Sequence, residues 1–172
     1  MKKLILLLAL GSLTTLSPLR AQTAAIDTAT KNFILNASIG AMQEVVSGQL
    51  AAQKAASPEV KAFGNQMVTD HNKAQAKLMQ LAKSKGYELP PAAAGTIPDM
   101  MLKNATGKDF DRIYVHMMVP DHRKTVLMFQ TYAISGKDPD IKAFAQQTLP
   151  ILKQHLDAIT AIDERIKNLS AK

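Results

Sequence analysis

Ser57-Pro-Glu-Val-Lys-Ala-Phe63 returns 81 residues later as Asp138-Pro-Asp-Ile-Lys-Ala-Phe144. Each copy is a helix start. A Ser or Asp side chain can accept from the first free backbone N–H groups, and proline follows at the first helical position, where a missing N–H does no harm. Each start opens an amphipathic run. In the first copy the apolar positions are Val60, Phe63, Met67, His71, Ala74, Leu78 and Leu81; in the second they are Ile141, Phe144, Thr148, Leu152, His155, Ile159 and Ile162. Every step is three or four residues, so each set lines one helix face. The constant offset marks an internal duplication, and two matching helices imply two matching helical hairpins.

Working outward, a helix that Asp27 can cap runs from about Thr28 to Ala56, immediately before the first repeat. The repeat helix itself ends at Gly86. A third long helix opens at Thr106, with Asp109 three residues on in a capping-box spacing, and fades at Ser135-Gly136. The helix from Asp138 runs to about Asn168. The turns before Ser57 and Asp138 are short, so each pair folds back antiparallel, whereas Gly86 to Thr106 is long enough to cross over and could hold one helical turn at Asp99 to Lys103. The expected fold is all-α: a four-helix bundle of two antiparallel hairpins joined by a long crossover, the ferritin-like connectivity.

Residues 1–21 read as a signal peptide: Lys2 and Lys3, the apolar run Leu4 to Leu10, and Leu19-Arg20-Ala21 with a small residue before the cut. Residues 22–172 are then a single domain of 151 residues, enough to bury a core unaided. The first apolar run is too short to span a bilayer, and no later stretch is apolar enough, so no membrane span is expected. There is no cysteine, which removes disulfides, thiolate catalysis and cysteine metal sites from consideration. The expected address is the periplasm or the outside. The formal net charge is +7, of which Lys2, Lys3 and Arg20 supply three, so the chain beyond Ala21 carries +4. Its lysines are scattered, which reads as a solvated surface with weak attraction to an anionic envelope component and not as a nucleic-acid site.

The chemistry rests on polar residues written into the apolar stripes. His71 and His155 stand among core positions. Glu44, the single acid between Asp27 and Glu59, falls on the stripe Phe33, Ala37, Gly40, Glu44, Gly48, Ala51, whose small members leave room around a carboxylate. On the third long helix Asp121 and His122 straddle the inward face, and His116 points away. Glu44 lies 13 residues before Ser57 and His71 lies 14 after it; Asp121 and His155 lie 17 before and 17 after Asp138. Each hairpin therefore brings a carboxylate level with an imidazole near mid-bundle, and the expected pairs are Glu44 with His71 and Asp121 with His155. Buried unpaired charges cost several kcal/mol, so these groups should be paired, hydrated or metal-bound.

Glu44, His71, Asp121, His122 and His155 are thus the candidate metal ligands. A di-metal oxidase would carry Glu-x-x-His on two helices, but Val68 and Leu152 stand three residues before His71 and His155. Met67 precedes His71, and Met118 precedes His122, by one turn each, a thioether and imidazole set suited to copper or another metal ion and equally suited to core filling. Pro120 and Pro150 interrupt the third and fourth helices, freeing the carbonyls of His116 and Gln146. No phosphate-binding Gly loop, Gly-x-Ser-x-Gly elbow or His-Glu-x-x-His motif occurs.

The segments Glu44-Val45, Ser57-Pro58 with Val60-Lys61-Ala62-Phe63, Met67-Val68 with Asp70-His71, Leu89-Pro90, Phe110-Asp111-Arg112 with Tyr114, Asp121-His122, and Leu149-Pro150 with His155-Leu156 together resemble the exported bacterial family known as domain of unknown function 4142. The resemblance runs from Asn32 to Asp163. It implies a periplasmic or outer-envelope, ferritin-like helical bundle and supplies no reaction. Three readings follow: a non-enzymatic binding or stress-related envelope protein with an intra-bundle metal site; an interaction module whose polar core is purely structural; and a metal-dependent oxidase.

Overall fold

A computed structural model describes residues 26–89 and 99–170. The candidate signal peptide lies outside the described residues, as does the middle of the long connection.

Five helices follow in order: α1 Thr28–Lys54, α2 Pro58–Ser84, the short α3 Met100–Asn104, α4 Gly107–Ser135 and α5 Pro139–Ser170. Asp27 caps α1, its Oδ1 accepting from Ala29 N at 2.9 Å and Thr30 N at 3.1 Å. Ser57 accepts from Val60 N at the start of α2, and Asp138 accepts from Asp140 N and Ile141 N at the start of α5. Gly86, at φ +69, takes the left-handed conformation that ends α2. Thr106 holds the cap position of α4 but makes no side-chain capping bond, and Asp109 turns to Arg112 instead, so the expected capping box does not form. The helical turn expected near Asp99 is α3, and α4 and α5 continue through Pro120 and Pro150.

α1 packs on α2 and α4 on α5, while α1 also packs on α4 and α2 on α5. Ala55, past the end of α1, pairs with Gly107 at the start of α4, and Asp111 of α4 accepts from Ala56 N and Ser57 N at 3.0 and 2.9 Å. The start of α4 therefore lies at the α1–α2 turn, and the end of α2 lies at the opposite pole, where Lys85 binds Asp138 and Asp140. The connection between α2 and α4 must return the full length of the bundle. This is the expected crossover.

The small residues of α1 serve two purposes. A Cβ at Gly48 would lie 2.6 Å from Gly64 O, and one at Gly64 would lie 2.7 Å from Gly48 O, so α1 and α2 touch backbone to backbone there. Gly48 thus makes room for a helix and not for a carboxylate. At Gly40, by contrast, a Cβ would meet nothing within 4 Å.

Two apolar clusters fill the interior. One, at the pole where α5 begins, holds Phe33, Ile34, Leu78, Phe129, Phe144 and Leu152. The other, nearer the α1–α2 turn, holds Phe63, Met67, Phe110, Tyr114, Met118 and Ile159. Between them, at the waist, all four long helices contribute a buried polar residue: Glu44, His71, His122 and His155.

Candidate metal centre

One ring nitrogen from each of His71, His122 and His155 lies within 4.8 Å of the others. The three rings sit 5.5 to 6.3 Å apart by their centres. Phe63 closes the layer on one side, 5.8 Å from the His122 ring and 6.4 Å from that of His155. All three histidines are buried.

Two of the rings have a fixed orientation. His122 Nδ1 donates to the Met118 carbonyl at 2.9 Å, one helical turn back. His155 Nε2 donates to Asp70 Oδ2, also at 2.9 Å, across the α2–α5 contact. Each bond places the ring proton on the bonded nitrogen and leaves the other as a lone pair. His122 Nε2, His155 Nδ1 and His71 Nε2 are all buried without a hydrogen-bond partner among the described residues. Orienting a ligand imidazole through its far N–H, by a carboxylate or a carbonyl, is the usual outer shell of a histidine metal site.

Electrostatics keeps the rings neutral. Burial, reinforced by the neighbouring imidazoles of His155 and His122, lowers the pKa of His71 to about 3. Burial lowers His122 to about 4 against the opposing pull of the Met118 carbonyl, and lowers His155 against that of Asp70. At neutral pH the waist therefore presents unprotonated nitrogens, the form that binds metal.

Glu44 is the fourth waist residue. Its Oε1 lies 3.4 Å from His122 Nδ1, the geometry of a loose ion pair. Yet burial, with the negative charge of Asp121 adding to it, raises its pKa to about 8. Since His122 Nδ1 already serves Met118, the contact is between a neutral carboxyl and a neutral imidazole. Glu44 Oε2 has no partner among the described residues, and neither do Tyr114 Oη or Gln75 Oε1, although Gln75 Nε2 donates to Ser38 Oγ at 2.7 Å. Six buried polar atoms are thus left over among the described residues, four of them on the waist residues themselves. A satisfied polar core leaves fewer, because such groups are nearly always paired.

The structure brings together four of the five expected ligands and separates the fifth. Asp121 is exposed, one residue and about 100° round the helix from the inward His122. The pairings also differ from expectation: Glu44 meets His122 and not its hairpin mate His71, and His155 meets Asp70 and not Asp121. His116 is exposed, as anticipated, and Met67 and Met118 belong to the apolar cluster beneath the histidines. Sequence reasoning missed Asp70 as the orienting carboxylate, and missed Tyr114 and Gln75. Asp70 was legible only as the neighbour of His71. Asp111, though buried, is fully used in tying α4 to the α1–α2 turn.

Against this geometry, the family model described as "Domain of unknown function (DUF4142)" matches residues 15–162. The chain belongs to this family. No curated protein matches the sequence. Solved structures similar to this chain include CopM in its Cu(II)-bound form, with a TM-score of 0.66 and 17% identity over 79% of this chain and 96% of that one. A conserved hypothetical protein, rv2844, from Mycobacterium tuberculosis has a TM-score of 0.63 and 13% identity over 79% and 91%. A dodecameric thioferritin, the bacterioferritin-related protein from Bacteroides fragilis, has a TM-score of 0.64 and 14% identity over 86% and 92%. At such identities the likeness bears on fold alone, and this family member is a ferritin-like four-helix bundle.

Proposed function

We propose that this protein is an exported metal-binding bundle that holds one transition-metal ion at its waist through His71, His122 and His155. The observation that carries the reading is the convergence of three buried, neutral imidazoles, each with a buried ring nitrogen that lacks a partner among the described residues, while Met118 and Asp70 hold the other nitrogen of two of them. Three neutral nitrogens suit copper, zinc and their neighbours in the first transition row better than magnesium or calcium, which take oxygen. Metal–nitrogen bonds of about 2.0–2.1 Å in a tetrahedral site need nitrogens about 3.4 Å apart, and those of the three rings already lie within 4.8 Å of one another, so capture needs only a small inward movement of the rings.

Copper is the ion of first choice. The bundle is similar to CopM, which is described in Cu(II)-, Cu(I)- and Ag-bound forms, and the cysteine-free chain offers only imidazole, carboxylate and thioether donors. A single ion fits better than a di-metal oxidase centre, because Val68 and Leu152 stand where bridging glutamates would be needed. Export to the periplasm is supported by Lys2-Lys3 and the apolar run after them.

The test is elemental analysis after equilibration with Cu(I) or Cu(II) and dialysis, alongside the double variant His71→Ala, His155→Ala. One equivalent in the native protein and none in the variant is the expected result. Native protein that retains no copper, zinc, nickel or cobalt overturns the reading. Variants that lose thermal stability while the native protein takes up no metal would assign the waist to folding alone.

A further inference from the structure

Two spaces in the bundle share a wall that includes Gly40. One, about 260 Å³, runs between the helices from Lys73, Lys77 and Gln147 at the α2–α5 seam to Gly40 and reaches His71 and His155 on the way. The outer one, about 620 Å³, is a groove along the α1–α4 contact whose walls include Asp99, Asp121, Met117 and Met118. Asn36, Gly40, Glu44, Thr125 and Met128 border both. At Gly40 the space a side chain would fill is open, and Glu44, buried with Oε2 unpartnered, stands beside it.

We propose that the Gly40 gap is the portal through which a metal cation reaches the three imidazoles, with Asp121 and Glu44 as its transfer ligands. This rests on the metal-binding reading above. The outer groove collects cations: Asp121 and Asp99 are exposed there, opposed by Lys124, and thioethers of Met117, Met118 and Met128 add soft donors. Glu44 comes next along the path, bordering the groove on one side and touching His122 on the other. Glu44 and Asp121 line the same groove, so a cation collected at Asp121 has a second carboxyl ahead of it on the way in. The opposite seam, between α2 and α5, is less suited. There the mouth of the 260 Å³ space is lined by the cationic Lys73 and Lys77, and Lys77 Nζ donates to Gln147 Oε1 at 2.5 Å across it. Asp70, also on that side, is committed to His155.

The experiment is stopped-flow mixing of the full folded protein with Cu(II), followed by quenching of tyrosine emission, with equilibrium affinity measured separately by chelator competition. Gly40→Leu plugs the gap and leaves all three histidines in the chain, and uptake then has to take the lysine-lined seam or wait for local opening of the bundle, so the on-rate should fall about tenfold or more with affinity nearly unchanged. Asp121→Asn, an exposed change that leaves the fold alone, should slow uptake severalfold at low salt and flatten its salt dependence. Gln147→Leu on the other seam should leave the rate as it was. Unchanged kinetics in both Gly40→Leu and Asp121→Asn, or slowing confined to Gln147→Leu, overturns the portal while leaving the imidazole centre standing. Failure of the native protein to bind Cu(II) at all would instead remove the centre itself.

Discussion

Replacing Glu44 with glutamine in metal-free protein should stabilise the fold at alkaline pH and do so progressively less as the pH falls. In the folded chain the carboxyl is held neutral up to about pH 8 by burial and by Asp121, against an ordinary value of 4.5. Between those two values the native state binds a proton that the unfolded chain has lost. Stability therefore declines with rising pH at about 1.4 kcal/mol per pH unit, until the carboxyl ionises in the native state as well. The glutamine side chain lacks this dependence and keeps the shape. Subtracting the two stabilities removes the pH dependence that the two proteins share and isolates the contribution of Glu44 together with the His122 it touches. From about pH 6 to about pH 8 the advantage of the Glu44→Gln variant should grow by about 2 kcal/mol and level off above that. Urea unfolding followed by circular dichroism, with chelator present, reads it directly. A difference that stays flat with pH would refute the reasoning, because it would mean that neither Glu44 nor the His122 beside it holds a proton in the folded chain that the unfolded chain has lost.

Asp70→Asn keeps all three imidazoles but weakens the bond that orients His155; metal affinity measured by chelator competition should fall about 10- to 100-fold, and an unchanged Kd would mean that Asp70 is incidental. Two glycines on neighbouring faces should behave oppositely in thermal melts. Gly64→Ala drives a Cβ against the Gly48 carbonyl and should cost about 1–3 kcal/mol, whereas Gly40→Ala enters open space in a helix interior and should gain about 0.5–1 kcal/mol.

Much of the scaffold is legible in the chain. The repeated Ser57-Pro58 and Asp138-Pro139 starts form caps where expected, and the two stripes that follow them point inward, His71 and His155 included. The shared height of Glu44, His71, His122 and His155 also follows from counting, because a helix rises a fixed 1.5 Å per residue and a short turn sets the zero for both of its arms. The capping box at Thr106 fails because spacing alone does not set the side-chain direction at a cap that follows the α3 turn. The role given to Gly48 failed for a related reason: a small residue leaves room, but the sequence does not say what will fill it.

Counting along a helix fixes depth and leaves rotation open. The sequence by itself therefore determined which residues lie at the waist, whereas the tertiary structure decided which of them meet. Asp70 and His71, like Asp121 and His122, are adjacent residues separated by about 100° of helix rotation, and only one member of each pair can face the centre. Because the long connection returns α4 to the α1–α2 turn, α1 lies against α4 and α2 against α5, so Glu44 finds His122 and His155 finds Asp70 across the two hairpins instead of within them. That packing turns Asp121 out into a groove and leaves three imidazole nitrogens near one another in the middle of the bundle.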